Sequence, residues 1–452
     1  MARIVVVGAG IAGAAAAYAL RAHDVTVVEG SPSVGGKLRT SEFAGVPLDE
    51  GAEQFLVRAP EALDLARALG FEAQVVHPNA SSAAVWSRGS LHPLPARTVL
   101  GVPSSVRSLL GLLRPSEVVR AAADLVAPGD VPTDDVAVGA YLRRRLGDAV
   151  VDRLVDPLLG GVYAGRADEL SLFATVPAMR AQPSAIRSAR AAVGAATGGP
   201  VFATLTGGLG QLVPAALSAS GATVVTGRMV RRIERTALGF RVVHGPTVDE
   251  QAIDADAVVV AVPAAPAARL LADVAPAAAA DLAAIDYASV AIVSLAYAEP
   301  LPGEFTGFLV PAVEGRVVKA ATFSSLKWAH VGGGVVRCSV GRAGEVELLQ
   351  RPDDELISLA AADVSATAGL PAPVESRVTR WGGGLPQYAV GHLDRVARIR
   401  AAVGAVPGLA VCGAAYDGVG VPACIRSAYA AAAVVAMSAP ADLGSVPPQV
   451  EQ

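Results

Sequence analysis

Gly8-Ala9-Gly10-Ile11-Ala12-Gly13 is the segment whose residue types and spacing most directly imply chemistry. It follows the β-branched run Ile4-Val5-Val6-Val7 and leads into a run of alanines, which is the grammar of strand, turn and helix. Gly8 permits the tight turn, Gly10 lets main-chain amides approach a pyrophosphate, Gly13 lets helix and strand close up, and the helix start adds partial positive charge. Ala9, Ile11 and Ala12 contribute main chain to this cradle, which needs no side chain. Twenty-one residues after Gly8, Glu29 ends a second β-branched run, where a carboxylate can meet ribose hydroxyls and disfavour a 2′-phosphate. The chain therefore opens as a dinucleotide site.

That unit alone does not choose between a nicotinamide and a flavin dinucleotide. Residues 33–40 put a second glycine pair, Gly35-Gly36, and the cation Lys37 directly after the acidic strand. Residues 48–54 follow with a polar turn containing Gly51, Ala52, Glu53 and Gln54. A flexible glycine loop carrying a charge for the pyrophosphate, then a polar turn able to lie near an isoalloxazine, suits the flavin. This arrangement resembles the FAD-binding opening of the flavin amine oxidase superfamily. Residues 221–230 and 256–263 resemble it as well, and in that family the valine matching Val230 meets the adenine side of FAD through its main chain.

Three further stretches carry a narrower likeness. Residues 156–172, with Asp156-Pro157-Leu158-Leu159-Gly160-Gly161-Val162-Tyr163-Ala164-Gly165, are similar to a segment of the protoporphyrinogen and coproporphyrinogen oxidases. Leu385-Pro386-Gln387-Tyr388 through His392 resembles their late substrate-domain signature, and residues 413–425 look like their carboxy-terminal flavin loop, with Ala414, Val419, Gly420 and Val421 at the cofactor. Gly35-Gly36-Lys37 and Pro386-Gln387-Tyr388 resemble the bacterial branch that acts on coproporphyrinogen III. The likeness extends over nearly the whole chain.

The resemblance implies FAD as cofactor and a step of heme biosynthesis. One porphyrinogen would be oxidised repeatedly to its porphyrin, with O2 reoxidising the flavin and releasing hydrogen peroxide. Flavin N5 would carry the chemistry, so no catalytic side chain is assigned, and no Ser-His-Asp triad or carboxylate pair is found. Gly161 matches a pocket position whose carbonyl faces the macrocycle, and Tyr163 lines the same wall. Arg88, Arg97 and Arg166 are the candidates for the propionates. Arg166 departs from the family, where a short acidic or amide residue usually follows the glycine. His392 is read as a loop histidine bonded to main chain, and Trp381 and Tyr388 as packing. A short-lived porphyrin product would make handover to a ferrochelatase sensible. The alternatives are oxidation of protoporphyrinogen IX, and a related flavoenzyme acting on an amine or a carotenoid precursor, which 4% aromatic residues supply poorly with a cage. A non-catalytic tetrapyrrole carrier is the third reading.

These residues need an α/β FAD-binding Rossmann-like domain plus an α+β substrate domain and an inserted helical subdomain. The expected division gives residues 1–76, 206–266 and 395–452 to the FAD-binding domain, 77–103 and 267–394 to the substrate domain, and 104–205 to the helical subdomain. Periodicity predicts strands at 3–7 and 25–29, helices at 12–22 and 60–70, a hairpin about residues 86–90, and helices through 104–190. The Gly-rich stretch 191–208 reads as a loop or linker. A strand at 409–412 and an alanine helix at 424–437 close the chain as strand, turn and helix opened it.

Composition narrows the partners. The 452 residues carry 37 Lys and Arg against 41 Asp and Glu, a net charge of −4, so the basic footprint of a nucleic-acid binder is missing. Charged residues are only 17% and the mean hydropathy is +0.47. The uncharged stretches 4–20, 191–227 and 427–441 are too short or too rich in glycine and proline for a transmembrane helix, so peripheral contact is the most that is expected of a membrane. Cys338, Cys412 and Cys424 form no C-x-x-C and suit a reducing cytoplasm, and the six scattered histidines signal no metal centre.

Overall fold

The computed structural model describes residues 1–79, 82–127, 129–195 and 198–438. Of the segments expected above, residues 80, 81, 128, 196, 197 and 439–452 lie outside the described residues.

The β-branched runs and the alanine run fold as their periods dictate, into β1 (Arg3–Val7), α1 (Ile11–Ala19) and β2 (Asp24–Val28). β1 is the centre of five parallel strands. It pairs with β2 on one side and Ala257–Val260 on the other, with Thr223–Val225 and Leu409–Val411 outside them. Ile4 and Val6 point to one face, against α1 and the Val421–Ser438 helix. Val5 and Val7 point to the other, against the helices Ala264–Leu271, Pro276–Ala283 and His392–Gly404. A sheet covered on both faces explains why these strands are unbroken in apolar residues.

A second, mixed sheet of seven strands runs in the order Glu375–Pro386, Tyr287–Tyr297, Gly334–Val340, Val318–Phe323, Gly307–Leu309, Ala84–Ser87 and Ser90–Pro93. Its hairpin turns at Arg88 and Gly89, both at positive φ, as a tight two-residue hairpin turn requires. The Asp353–Ala368 helix packs on this sheet through Leu356, Ala360 and Val364. Helices between residues 115 and 194 bury a third core, in which Tyr141, Leu142, Leu154, Leu159 and Tyr163 meet Tyr388 from the far end of the chain.

Two expectations are corrected. Residues 191–208 are not one loop: the helix Ala185–Gly194 runs into them, and Phe202–Leu205 is a strand. That strand pairs with Phe55–Leu56 and Val75–Val76, partners more than 125 residues away in sequence, so glycine-rich composition concealed it. The last helix is also longer than expected, Val421–Ser438. By length and composition it could cross a membrane, yet half of it is buried, and its inner face from Val421 to Val435 packs with Ala12 to Ala17 of α1.

The tightest packing in the first unit is at Gly13, where a Cβ would stand 1.8 Å from the Gly8 carbonyl oxygen. Gly13→Ala must therefore push α1 off β1. It is expected to cost about 1–3 kcal/mol, measured as a lower urea midpoint.

Candidate functional site

The site begins where β1 ends. Gly8 has φ +101°, and its amide donates to the Val28 carbonyl at 2.8 Å, so the chain turns over the ends of both strands. α1 starts at once, with no side-chain cap on its first amides and no acidic residue in its first turn. A Cβ on Gly10 would meet nothing within 4 Å. An open glycine at an uncapped helix start is the cradle a pyrophosphate needs. Glu29 completes the turn: one carboxylate oxygen accepts the Ala9 amide at 2.7 Å, the other the Ser31 amide at 2.8 Å and the Ser31 hydroxyl at 2.6 Å. The carboxylate is half-buried and held in place beside the cradle.

The second glycine pair folds back onto the first. The Gly35 amide donates to the Ala9 carbonyl at 2.9 Å, and Gly36, at φ +56°, lies so near Gly10 that a Cβ would be 3.2 Å from its Cα. Lys37 is not the mobile loop charge expected. Its ammonium lies 5.8 Å from the centre of the Tyr287 ring, and burial holds its pKa below the usual lysine range.

The Lys37 carbonyl accepts the Ala52 amide at 3.3 Å and lies 2.2 Å from where a Cβ on Gly51 would be, so the polar turn is pressed against the glycine loop. The Trp381 indole donates to the Glu50 carbonyl at 2.9 Å. Glu53 turns its side chain away from this surface into a buried cluster. It accepts Lys327 at 2.6 Å and the Arg337 guanidinium, which also reaches the Gly51 carbonyl at 2.7 Å. Burial alone would raise the Glu53 carboxyl, but the two cations overcome it and hold it down to about 2. Gln54 keeps a buried side-chain oxygen with no hydrogen-bond partner. An orphaned acceptor on that turn suits a bound group with a donor, which fits a flavin ring.

A third wall comes from three distant segments. The Asp156–Tyr163 helix continues a π-helical turn, Val151–Val155, and carries Pro157 without breaking. Gly161 is exposed on it, and a Cβ there would be 3.9 Å from Leu309. Tyr163 is buried, its hydroxyl pushed up to about 12, and its ring lies 5.4 Å from that of Tyr388. His392 is no loop histidine. It is the first residue of a helix, fully buried, stacked on Tyr388 at 3.8 Å, and burial pushes it down to about 4. This aromatic wall is uncharged at neutral pH.

The carboxy-terminal loop meets the same wall. Ala414 offers its carbonyl to the Tyr388 hydroxyl, Val419 packs on the helical core, and Gly420 and Val421 lead into the last helix. Val230 is buried and stands at an irregularity of its strand pair, opposite His244. Of the arginines, Arg88 is taken by Glu117 at 2.7 Å and is withdrawn as a propionate ligand. Arg97 and Arg166 are exposed and form no ion pair among the described residues. Cys338, Cys412 and Cys424 are buried free thiols, each raised by burial, Cys424 to about 11.

Known proteins resemble this chain along nearly its whole length. Residues 11–436 match the family of flavin-containing amine oxidoreductases. The chain is 39% identical to the coproporphyrinogen III oxidase of Mycobacterium tuberculosis, covering 94% of this chain and 95% of that protein. It is 32% identical to the coproporphyrinogen III oxidase of Bacillus subtilis, over 95% and 96%. A solved structure from an Exiguobacterium species, named for a protoporphyrinogen oxidase, superposes with a TM-score of 0.85 at 31% identity, covering 97% and 98%.

The buried Glu53 cluster makes a stability prediction. Glu53→Gln leaves Lys327 and Arg337 without a charge partner and is expected to cost about 3–5 kcal/mol in urea unfolding at neutral pH. The folded carboxyl lies at about 2 against an ordinary 4.5. Its contribution is therefore complete above about pH 4.5 and is lost as pH falls through about 2. The wild type should lose stability over that window more steeply than the variant.

Proposed function

We propose that this chain, which belongs to the flavin-containing amine oxidoreductase family and is an FAD-dependent oxidoreductase, oxidises coproporphyrinogen III to coproporphyrin III. The observation that carries this reading is the near-full-length likeness to coproporphyrinogen III oxidases, on a fold whose glycine cradle and uncharged wall suit flavin and tetrapyrrole together.

When bound, FAD supplies an acceptor for hydride at N5, and O2 takes the electrons on to hydrogen peroxide. The protein's part is to hold and to shield. Gly8, Ala9, Gly10, Ile11, Ala12 and Gly13 hold the pyrophosphate on main-chain amides, and Glu29 takes the ribose. Gly36 and Lys37 close over the phosphates, the Lys37 charge acting at a distance from its place beside Tyr287. Gly51, Ala52 and Gln54 border the ring through main chain and the free Gln54 oxygen. Glu53 acts only by anchoring that turn. Val230 borders the adenine through its main chain, and Ala414, Val419, Gly420 and Val421 form the far lip.

Each oxidation removes a hydride from a bridging carbon and a proton from a pyrrole nitrogen. An apolar, uncharged wall of Tyr163, Leu309 and the Gly161 main chain suits the apolar faces of the macrocycle, and the pyrrole proton leaves to water. Arg97 and Arg166, free of ion pairs, are the cations left for propionates. The division into FAD-binding, substrate and helical parts set out above, a cytoplasmic location, and handover of product to a ferrochelatase belong to the same reading.

Purified protein is expected to show a flavin spectrum and, under air, to raise porphyrin fluorescence faster from coproporphyrinogen III than from protoporphyrinogen IX. Turnover of protoporphyrinogen IX alone would move the substrate to that ring, and bound flavin without turnover of either would end the porphyrinogen reading. Arg166→Ala is expected to raise KM several-fold with kcat little changed.

A further inference from the structure

We propose that Gln387 and Tyr388 form a clamp that fixes the spacing between the Asp156–Tyr163 helix and the loop of residues 413–420, with Tyr388 the positioning residue for that loop. The inference rests on the reading above in one respect, that this loop borders the flavin.

The two side chains leave the end of the Glu375–Pro386 strand in opposite roles. Gln387 is tied by its own amide to the Asp286 carbonyl at 2.8 Å. Its side-chain amide donates to the Tyr163 carbonyl at 2.8 Å and the Leu385 carbonyl at 3.1 Å. Tyr163 is the last residue of its helix, and Ala164 beyond it takes a left-handed conformation, φ +52°. The Tyr163 carbonyl is thus one of the end groups that a helix cannot satisfy internally, and Gln387 satisfies it from another part of the chain. The fit is close, since a Cβ on Gly165 would stand 2.3 Å from the Gln387 side-chain oxygen.

Tyr388 faces the loop. Its hydroxyl donates to the Ala414 carbonyl at 2.6 Å and accepts the Gly418 amide at 2.8 Å, so one oxygen closes a loop on itself using both of its hydrogen-bonding capacities. Its ring is stacked on His392 and approached by the tilted ring of Tyr163, and its own carbonyl accepts the Ser171 amide at 2.7 Å. With 2% of its surface exposed it has no freedom to follow the loop if the loop moves. Burial pushes its hydroxyl far above the ordinary tyrosine range, so it remains a donor at every physiological pH. Loop and helix wall are consequently tied to adjacent residues of one rigid strand end. The spacing between the wall helix and the loop is therefore set by the fold itself, before any ligand arrives.

The test uses the full-length holoenzyme. Tyr388→Phe keeps the ring and removes both loop hydrogen bonds, and Gln387→Leu removes the helix cap. Tyr388→Phe is expected to weaken FAD binding about tenfold or more, to change the visible circular dichroism of bound flavin, and to lower kcat more than it raises KM. Gln387→Leu is expected mainly to raise KM, and the double variant to bind FAD more tightly than the two single losses summed would give. Wild-type FAD affinity with an unchanged flavin dichroism in Tyr388→Phe would overturn the proposal. So would a loss of FAD matched by equal loss of thermal stability in the FAD-free protein, because the residue would then only support the fold. FAD binding is read without substrate, so wild type that binds FAD but does not oxidise coproporphyrinogen III would fail the substrate reading and leave the clamp test intact.

Discussion

The site depends on one contact between main chains: the Gly8 carbonyl lies where any side chain at position 13 would have to begin. Because residue 13 has no Cβ, α1 can start immediately above the end of β1, and its first amides converge on the space beside Gly10. Glu29 then locks the turn from the neighbouring strand, and Gly35 locks it again from the following loop. The cofactor cradle is thus made by backbone geometry, with the five-stranded sheet as its foundation. The other walls described above are brought to this cradle by segments that arrive later in the chain.

How they are brought is a matter of buried polar joints. Arg337 reaches from the Gly334–Val340 strand to Glu53 and the Gly51 carbonyl, and Lys327 reaches Glu53 from the short helix Ser324–Lys327, joining the polar turn to segments more than 270 residues away in sequence. A charge cluster of this kind contributes little net stability against an apolar one, but loss of any one partner leaves a charge buried and unpaired. Asp135 plays a similar part at the other wall, accepting the Ser171 hydroxyl, the Phe173 amide and the Gly391 amide, and so joining the helical layer to the helix that carries His392.

The first unit was legible in the sequence because its chemistry is local: strand period, glycine spacing and acid all fall within residues 3–29. The hairpin at Arg88–Gly89, the helices after residue 104 and the closing strand and helix were legible for the same reason. The misreadings share a cause as well. The place of Lys37 beside Tyr287 was not legible because Tyr287 is 250 residues downstream, nor was the burial of Glu53 against Lys327 and Arg337, which are as distant. Arg88 looked like a propionate ligand until the fold placed Glu117 against it. Phe202–Leu205 was hidden among glycines because a strand that draws its order from Phe55–Leu56 and Val75–Val76 leaves little trace in its own residues. Gln387 was quoted as part of a resemblance, yet nothing in its spacing announces a helix cap.

In the reaction proposed above, each reoxidation of the flavin by O2 releases an oxidant beside the polypeptide. Peroxide attacks thiolates rather than thiols. All three cysteines are sealed in the interior with their ionisation suppressed, and two of them, Cys412 and Cys424, flank the loop assigned above to the flavin. The thiols on either side of that loop are thus held in the protonated form, which peroxide attacks slowly.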